Sequence, residues 1–214
     1  PSLELFRKAA EKRADMIITH HGLFWKSDST DEREQYDFAL TNFLKERVKC
    51  LLDNNISFLA YHHTLDLHQV LGNNAQFFMK ARLRQKGRFG TFEGHEFGFY
   101  GDTKIERKEL MQRINDVFKT DCKLFGNGPE KCKRIGFVSG HGPSAIHEAY
   151  EKGVDTFITG SVSEQFPAIA KEYGMNLIAA GHYNSEKLGV MALGELIKKR
   201  FKVETEFVDI PNEL

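Results

Sequence analysis

Two adjacent histidines, His20 and His21, follow the apolar run Met16-Ile17-Ile18-Thr19 and precede Gly22. Imidazole ligates first-row metals and moves protons near neutral pH. A short apolar run ending on His-His places both rings at the carboxyl end of a strand, where open α/β sheets bind their ligands. Neighbouring side chains on a regular strand point to opposite faces, so the pair serves one site only if the chain turns there; Gly22 is the expected hinge. Taken alone, the pair is better explained as one buried, hydrogen-bonded histidine and one exposed one. A second run, 56–61, leads into His62, His63, Asp66 and His68. By itself that reads as a polar loop with an aspartate capping the next segment. A third run, 177–180, leads into His182, with Glu186 four residues on, a spacing that puts both on one helix face.

Imidazole or carboxylate at three separate strand ends is hard to explain as packing. The candidate ligands are His20, His21, Asp66, His182 and Glu186. Mixed imidazole and carboxylate donors suit zinc, manganese, iron, cobalt or nickel; calcium takes oxygen ligands. Carboxylates bridge ion pairs about 3.5–4 Å apart, and such pairs activate water, so Asp66 and Glu186 are the natural bridges in a two-ion site. His62, His63 and His68 exceed what the coordination spheres hold, so some should support the ligands or touch substrate. His62 or His68 is the candidate proton shuttle. No nucleophile triad is visible, and no catalytic residue is assigned.

The elements that must position these groups follow from periodicity and punctuation. Helices are expected over 2–13, with Ser2 as N-cap, and over 32–52, 75–83, 103–119 and, following His182 to Glu186, to about 201. Strands are expected at 16–19, 56–61, 135–138, 156–159, 176–180 and 202–210. The glycine- and phenylalanine-rich stretch 86–102 reads as one or two hairpins with His95 at an exposed turn, and 121–134 as loop. Residues 139–144 form a glycine-rich turn in which Ser144 helps to cap a helix; a bound anion is the weaker reading, since neither phosphate-loop spacing is present. The polar stretch 27–31 is turn-like, and Leu23-Phe24-Trp25 is an apolar patch beside the first histidines. The segment 11–19 resembles 151–159 and, more loosely, 171–180. Helix–strand units at this density indicate an α/β fold, with two similar halves as one arrangement.

Composition narrows the function classes. The 214 residues are 41% hydrophobic and 28% charged, ordinary for a globular chain. Lys+Arg and Asp+Glu balance at 30 each, which removes the bulk footprint of a nucleic-acid binder. No run approaches the ~18 apolar residues of a membrane helix. Three cysteines without a Cys-x-x-Cys pair fit free buried thiols in a reducing, cytoplasmic setting.

With Ile18-Thr19-His20-His21-Gly22, Tyr61-His62-x-x-Leu65-Asp66-x-His68, Gly72-Asn73-Asn74, Gly160-x-x-Ser163-Glu164 and Gly181-His182-x-x-x-Glu186 in view, the chain resembles the GTP cyclohydrolase 1 type 2 homologues, also called NIF-three-like dinuclear-metal proteins. The resemblance covers essentially the whole chain. It implies a two-lobed α/β fold with mixed sheets, helices packed on them and a metal site at strand carboxyl ends in the cleft. The expected lobes are 1–70 plus 190–214, and 71–189. It implies metal ligands at His20, His21, Asp66, His182 and Glu186, with His62 lining the site, and a homo-oligomer in the form of a ring-shaped hexamer. Family members carry a helix and at least one strand ahead of Ser2, so the front end is expected to be truncated.

The resulting expectation is a dinuclear divalent-metal protein of hydrolase type, acting on a small molecule, a nucleotide by the family name. The alternative is a metal-stabilised scaffold or interaction protein with little turnover, since the resemblance also implies protein partners; 86–102 is then the contact surface.

Overall fold

Ser2 opens the first helix, its Oγ accepting the Leu5 N–H at 3.1 Å, as its residue type at an N-cap predicts. The structure is a computed structural model that describes residues 1–24 and 42–212. Contacts divide the chain into Pro1–His62 with Glu206–Ile210, and His63–Thr205 with Pro211–Leu214. Trp25, the polar turn 27–31 and the first part of the expected helix 32–52 lie outside the described residues.

In the first unit, helix α1 (Leu3–Glu11), strand β1 (Met16–Thr19), helix α2 (Asn42–Asp53) and strand β2 (Ser57–Ala60) follow in order. Phe6 and Ala9 of α1, Ile17 of β1, Leu51 of α2 and Ile56 form one buried cluster. The strands pair in parallel, Met16 opposite Ser57 and Thr19 opposite Ala60. Because the register ends level, β1 and β2 release their next residues at the same end of the sheet.

The second unit opens with a one-turn helix α3 (His63–Asp66), then helix α4 (Asn73–Lys80) and a hairpin of β3 (Gly87–Phe92) and β4 (His95–Glu106). Helix α5 (Arg107–Phe118), strands β5 (Lys123–Gly126) and β6 (Lys131–Val138), a 3-10 turn at Pro143–Ala145 and helix α6 (Ile146–Glu151) come next. Strand β7 (Thr156–Thr159), helix α7 (Gln165–Glu172), strand β8 (Asn176–Ala179) and helix α8 (His182–Phe201) complete it. The sheet order is β3-β4-β6-β7-β8-β5, with β6, β7 and β8 parallel and the flanking pairs antiparallel. Alternation sends Phe137, Ile158 and Ile178 into a core with Phe77, Leu110 and Ile114, and Val138, Phe157 and Leu177 into another with Ile146 and Phe166. The fold is mixed α/β, helices covering both faces of the larger sheet, as the class expected from the sequence.

The sequence repeat is one recurring helix-to-strand turn. Arg13, Gly153 and Gly174 all adopt the left-handed conformation. The following N–H bonds back five residues each time: Ala14 to Ala9, Val154 to Ala149 and Met175 to Ala170, at 3.0, 2.9 and 2.8 Å. This is the Schellman ending. Asn55 and Arg82 repeat it after α2 and α4.

Several boundaries differ from expectation. Helix α4 begins at Asn73, with Gly72 as its N-cap and both asparagines inside its buried first turn. Helix α5 begins at Arg107 because β4 continues through Ile105, paired with Cys132 beyond an irregularity after Asp102. The expected loop 121–134 contains β5 and the start of β6; its glycines read as punctuation, yet a Cβ at Gly126 would stand 3.0 Å from the Arg107 guanidinium. Ser144 makes no side-chain cap. Residues 202–210 alternate but form no strand: Val203 and Phe207 stay exposed, so the pattern buries no face. Residues 63–70 and 190–205, assigned to the first lobe from the sequence, fall in the second unit, where Leu65, Asn73 and Gly189 meet and Leu188 enters the core.

Candidate metal centre

In the first unit the chain bends immediately after Thr19, and alternation stops there. His20 is 5% exposed, and its Nδ1 lies 3.0 Å from the Tyr61 carbonyl, one residue past the strand paired with β1. A carbonyl only accepts, so Nδ1 carries the proton and the Nε2 lone pair is the one presented for coordination. Thr19 Oγ1 donates to the His21 carbonyl at 2.7 Å, pinning the bend. The level ends of β1 and β2 bring His62 to the same place. Its ring stacks on His20 at 4.5 Å between centroids, and His21 stands 5.1 Å from His20 and 4.9 Å from His62. One ligand nitrogen from each of the three falls within 4.8 Å of the others. The hinge is not glycine's doing. Gly22 is absent from the positive-φ residues, and an added Cβ would meet only Phe24 O at 3.7 Å.

In the second unit, His182 is the first residue of α8, and its Nε2 lies 3.1 Å from Glu186 Oε2. Donors of one ion with bonds of about 2.0–2.1 Å stand roughly 3 Å apart, so this couple already has the separation of neighbouring ligands. The loop after β6 closes against it: a Cβ on Gly140 would fall 2.1 Å from Glu186 Oε1 and 3.4 Å from His182 Nε2, and Gly140 has φ +65°. Ser161, just past β7, joins His182 Nδ1 at 3.4 Å to His141 Nδ1 at 3.0 Å. Asp66, 5% exposed at the end of α3, accepts the Asn73 amide on Oδ1 at 2.8 Å. Imidazole nitrogens with carboxylate oxygens are the donor chemistry of first-row divalent ions, so the residues present fit such a metal.

The other histidines separate by environment. His68 Nδ1 accepts the N–H groups of Val70 and Leu71 at 3.1 and 3.0 Å; it caps a turn, which removes it as a shuttle at that nitrogen. His63 packs edge-on to Phe92 and Phe97. His95 is exposed at the start of β4, and exposed His147 bonds the Tyr173 hydroxyl at 2.9 Å. The glycine-rich turn is no anion cradle: Ser139, Gly140 and Gly142 give their N–H groups to Asn74 Oδ1, Ser185 Oγ and Thr159 Oγ1. The cysteines are free thiols, and burial pushes Cys122 up to about 12. Sequence reasoning missed Asn73, Ser161 and Ser185. The signal in the sequence was the Gly72-Asn73-Asn74 motif just ahead of Ala75 and the Phe77-Phe78 pair, where polar residues enter a buried turn.

A family model described as Duf34/NIF3 (NGG1p interacting factor 3) matches residues 1–213. A GTP cyclohydrolase 1 type 2 homolog of Buchnera aphidicola subsp. Schizaphis graminum is 35% identical over 215 residues, 98% of this chain and 81% of the relative. One from Archaeoglobus fulgidus is 34% identical, covering 100% of this chain and 82% of the relative. Among solved structures, the protein ybgI, titled as of unknown function, superposes with TM-score 0.88 at 33% identity, over 100% of this chain and 82% of that one. TTHA1606 from Thermus thermophilus gives 0.84 at 27% identity, over 100% and 81%.

Proposed function

The chain belongs to the Duf34/NIF3 family, and on that premise we propose that it is a dinuclear divalent-metal protein of hydrolase type, with His20, His21, Asp66, His182 and Glu186 as ligands. The observation that carries the reading is the histidine group of the first unit, in which His20 is held in the tautomer that offers Nε2. The His182–Glu186 couple and Asp66 supply the remaining donors. When bound, a pair of zinc, iron, manganese, cobalt or nickel ions lowers the pKa of water and polarises a substrate centre.

The chain's own residues prepare that chemistry. The Tyr61 carbonyl fixes the His20 ring, Thr19 fixes the bend that turns His21, and Ser161 bears on His182 Nδ1. His62, half-buried against His20, is the imidazole positioned to take or return a proton. The relatives' name directs the first assays to purine nucleotides whose ring is opened by water. The reading carries with it a cytoplasmic homo-oligomer, a hexameric ring, working on a small molecule; no described helix is long and apolar enough to cross a membrane.

The test is metal content per chain, with hydrolysis of nucleotides and phosphoesters after each candidate metal is added back. Two ions per chain, metal-dependent turnover, and a lower stoichiometry in Asp66→Ala support the reading. Two ions per chain in Asp66→Ala would refute the ligand assignment. The family description names an interaction with NGG1p, which favours a second reading as a metal-stabilised interaction protein; full metal content without turnover on any substrate would select it.

A further inference from the structure

We infer that Asn73 is a positioning residue for the metal centre: it holds the Asp66 carboxylate in register with α8, the helix that carries His182 and Glu186. The inference rests on the metal reading above. Asn73 is wholly buried in the first turn of α4. Its Nδ2 donates to Asp66 Oδ1 at 2.8 Å, and its Oδ1 accepts the Gly189 N–H at 2.7 Å, both bonds buried. The amide has one workable orientation. An ionised carboxylate only accepts and a backbone N–H only donates, so a flipped amide would oppose like groups on both sides.

Asp66 needs such a support because α3 is a single turn, and a turn of that length has no stability of its own. Asn73 transfers the rigidity of α8 to it. The contact also explains a glycine in the middle of a 20-residue helix, a residue otherwise unfavourable there. A Cβ at Gly189 would stand 3.0 Å from Asn73 Oδ1 and 3.1 Å from Leu65 Cδ2, so the approach that lets Asn73 reach the helix backbone depends on glycine. Hydrogen-bond partners behind a ligating carboxylate set its direction, and removing one typically costs about 10–100-fold in metal affinity.

The experiment measures Zn2+ affinity of the full chain by competition with a chromophoric chelator, alongside the melting temperature of the metal-free protein. Asn73→Ala and Gly189→Ala should each weaken Zn2+ binding by about 10–100-fold. Asn176→Ala is the control: it removes an equally buried amide, bonded to Thr156 and Pro129 at the opposite end of β8, and should lower the melting temperature with affinity unchanged. If Asn73→Ala does not fold, Gly189→Ala decides by the same comparison. Wild-type affinity in both folded variants, with only stability reduced, overturns the inference while leaving the metal reading intact. A wild-type chain that binds neither Zn2+ nor, in the same competition, any of the other four candidate ions overturns both.

Discussion

Replacing Gly140 with alanine separates backbone strain from displacement of a proposed ligand, Glu186. Gly140 has φ +65°, and its added Cβ would fall 2.1 Å from Glu186 Oε1. A left-handed residue with a side chain costs about 1–2 kcal/mol, which in a chain of this size lowers the melting temperature by roughly 2–8 °C. The collision adds little to that, because the obstructing atom is the far end of a side chain that can rotate away. Reaching a tolerable contact requires the carboxylate oxygen to recede by roughly 1 Å, several times the ~0.2 Å tolerance of a metal–ligand bond. Zn2+ affinity should therefore fall by at least about 10-fold. Gly174→Ala isolates the backbone contribution, since Gly174 has φ +62° and nothing within 4 Å of the added Cβ. Thermal unfolding and chelator competition on both variants should show similar stability losses and a loss of affinity in Gly140→Ala alone. Wild-type affinity in a folded Gly140→Ala would remove Glu186 from the ligand set. A stability loss far beyond that of Gly174→Ala would show that the Glu186 side chain cannot yield, and the reasoning about the loop would be wrong.

Gly22→Ala should leave stability within about 0.5 kcal/mol of wild type and Zn2+ affinity unchanged, because neither φ nor space demands glycine there; a clear loss of either would restore Gly22 as the hinge. Arg134 and then Lys86 hold the Asp102 carboxyl down to about 2 by hydrogen bonding. Its folded pKa lies below the unfolded value near 4, so its contribution is present above about pH 4 and is lost as pH falls through about 2. The melting-temperature gap between wild type and Asp102→Asn should be open at pH 6 and closed near pH 2, and should narrow with added salt because the group is exposed. A gap unchanged between those two pH values would contradict the assignment.

Most strands, most helices and the histidines were legible because their signals are local. Met16-Ile17-Ile18-Thr19 has room for one strand and nothing else, and the turn after each helix recurs because Arg13, Gly153 and Gly174 fill the same left-handed position. Errors fell where a distant partner overrules a local cue. Gly126 and Gly128 read as loop, yet the Arg107 side chain and the Asn176 backbone nitrogen fill the space their missing side chains leave, and β5 forms beside β8. Ile105 fits a helical period, yet Cys132 pairs with it across a ladder. Residues 202–210 alternate with no buried face to receive them.

The sequence by itself determined which donors are available, since imidazole and carboxylate at strand ends can be read from residue type and spacing. Tertiary structure decided how they point. The parallel register of β1 and β2 brings His62 onto His20, the Tyr61 carbonyl selects the His20 tautomer, and Asn73 ties Asp66 to a helix more than a hundred residues away in the chain. Orientation depends on hydrogen bonds between segments remote in sequence, and no periodicity within a segment encodes its partner.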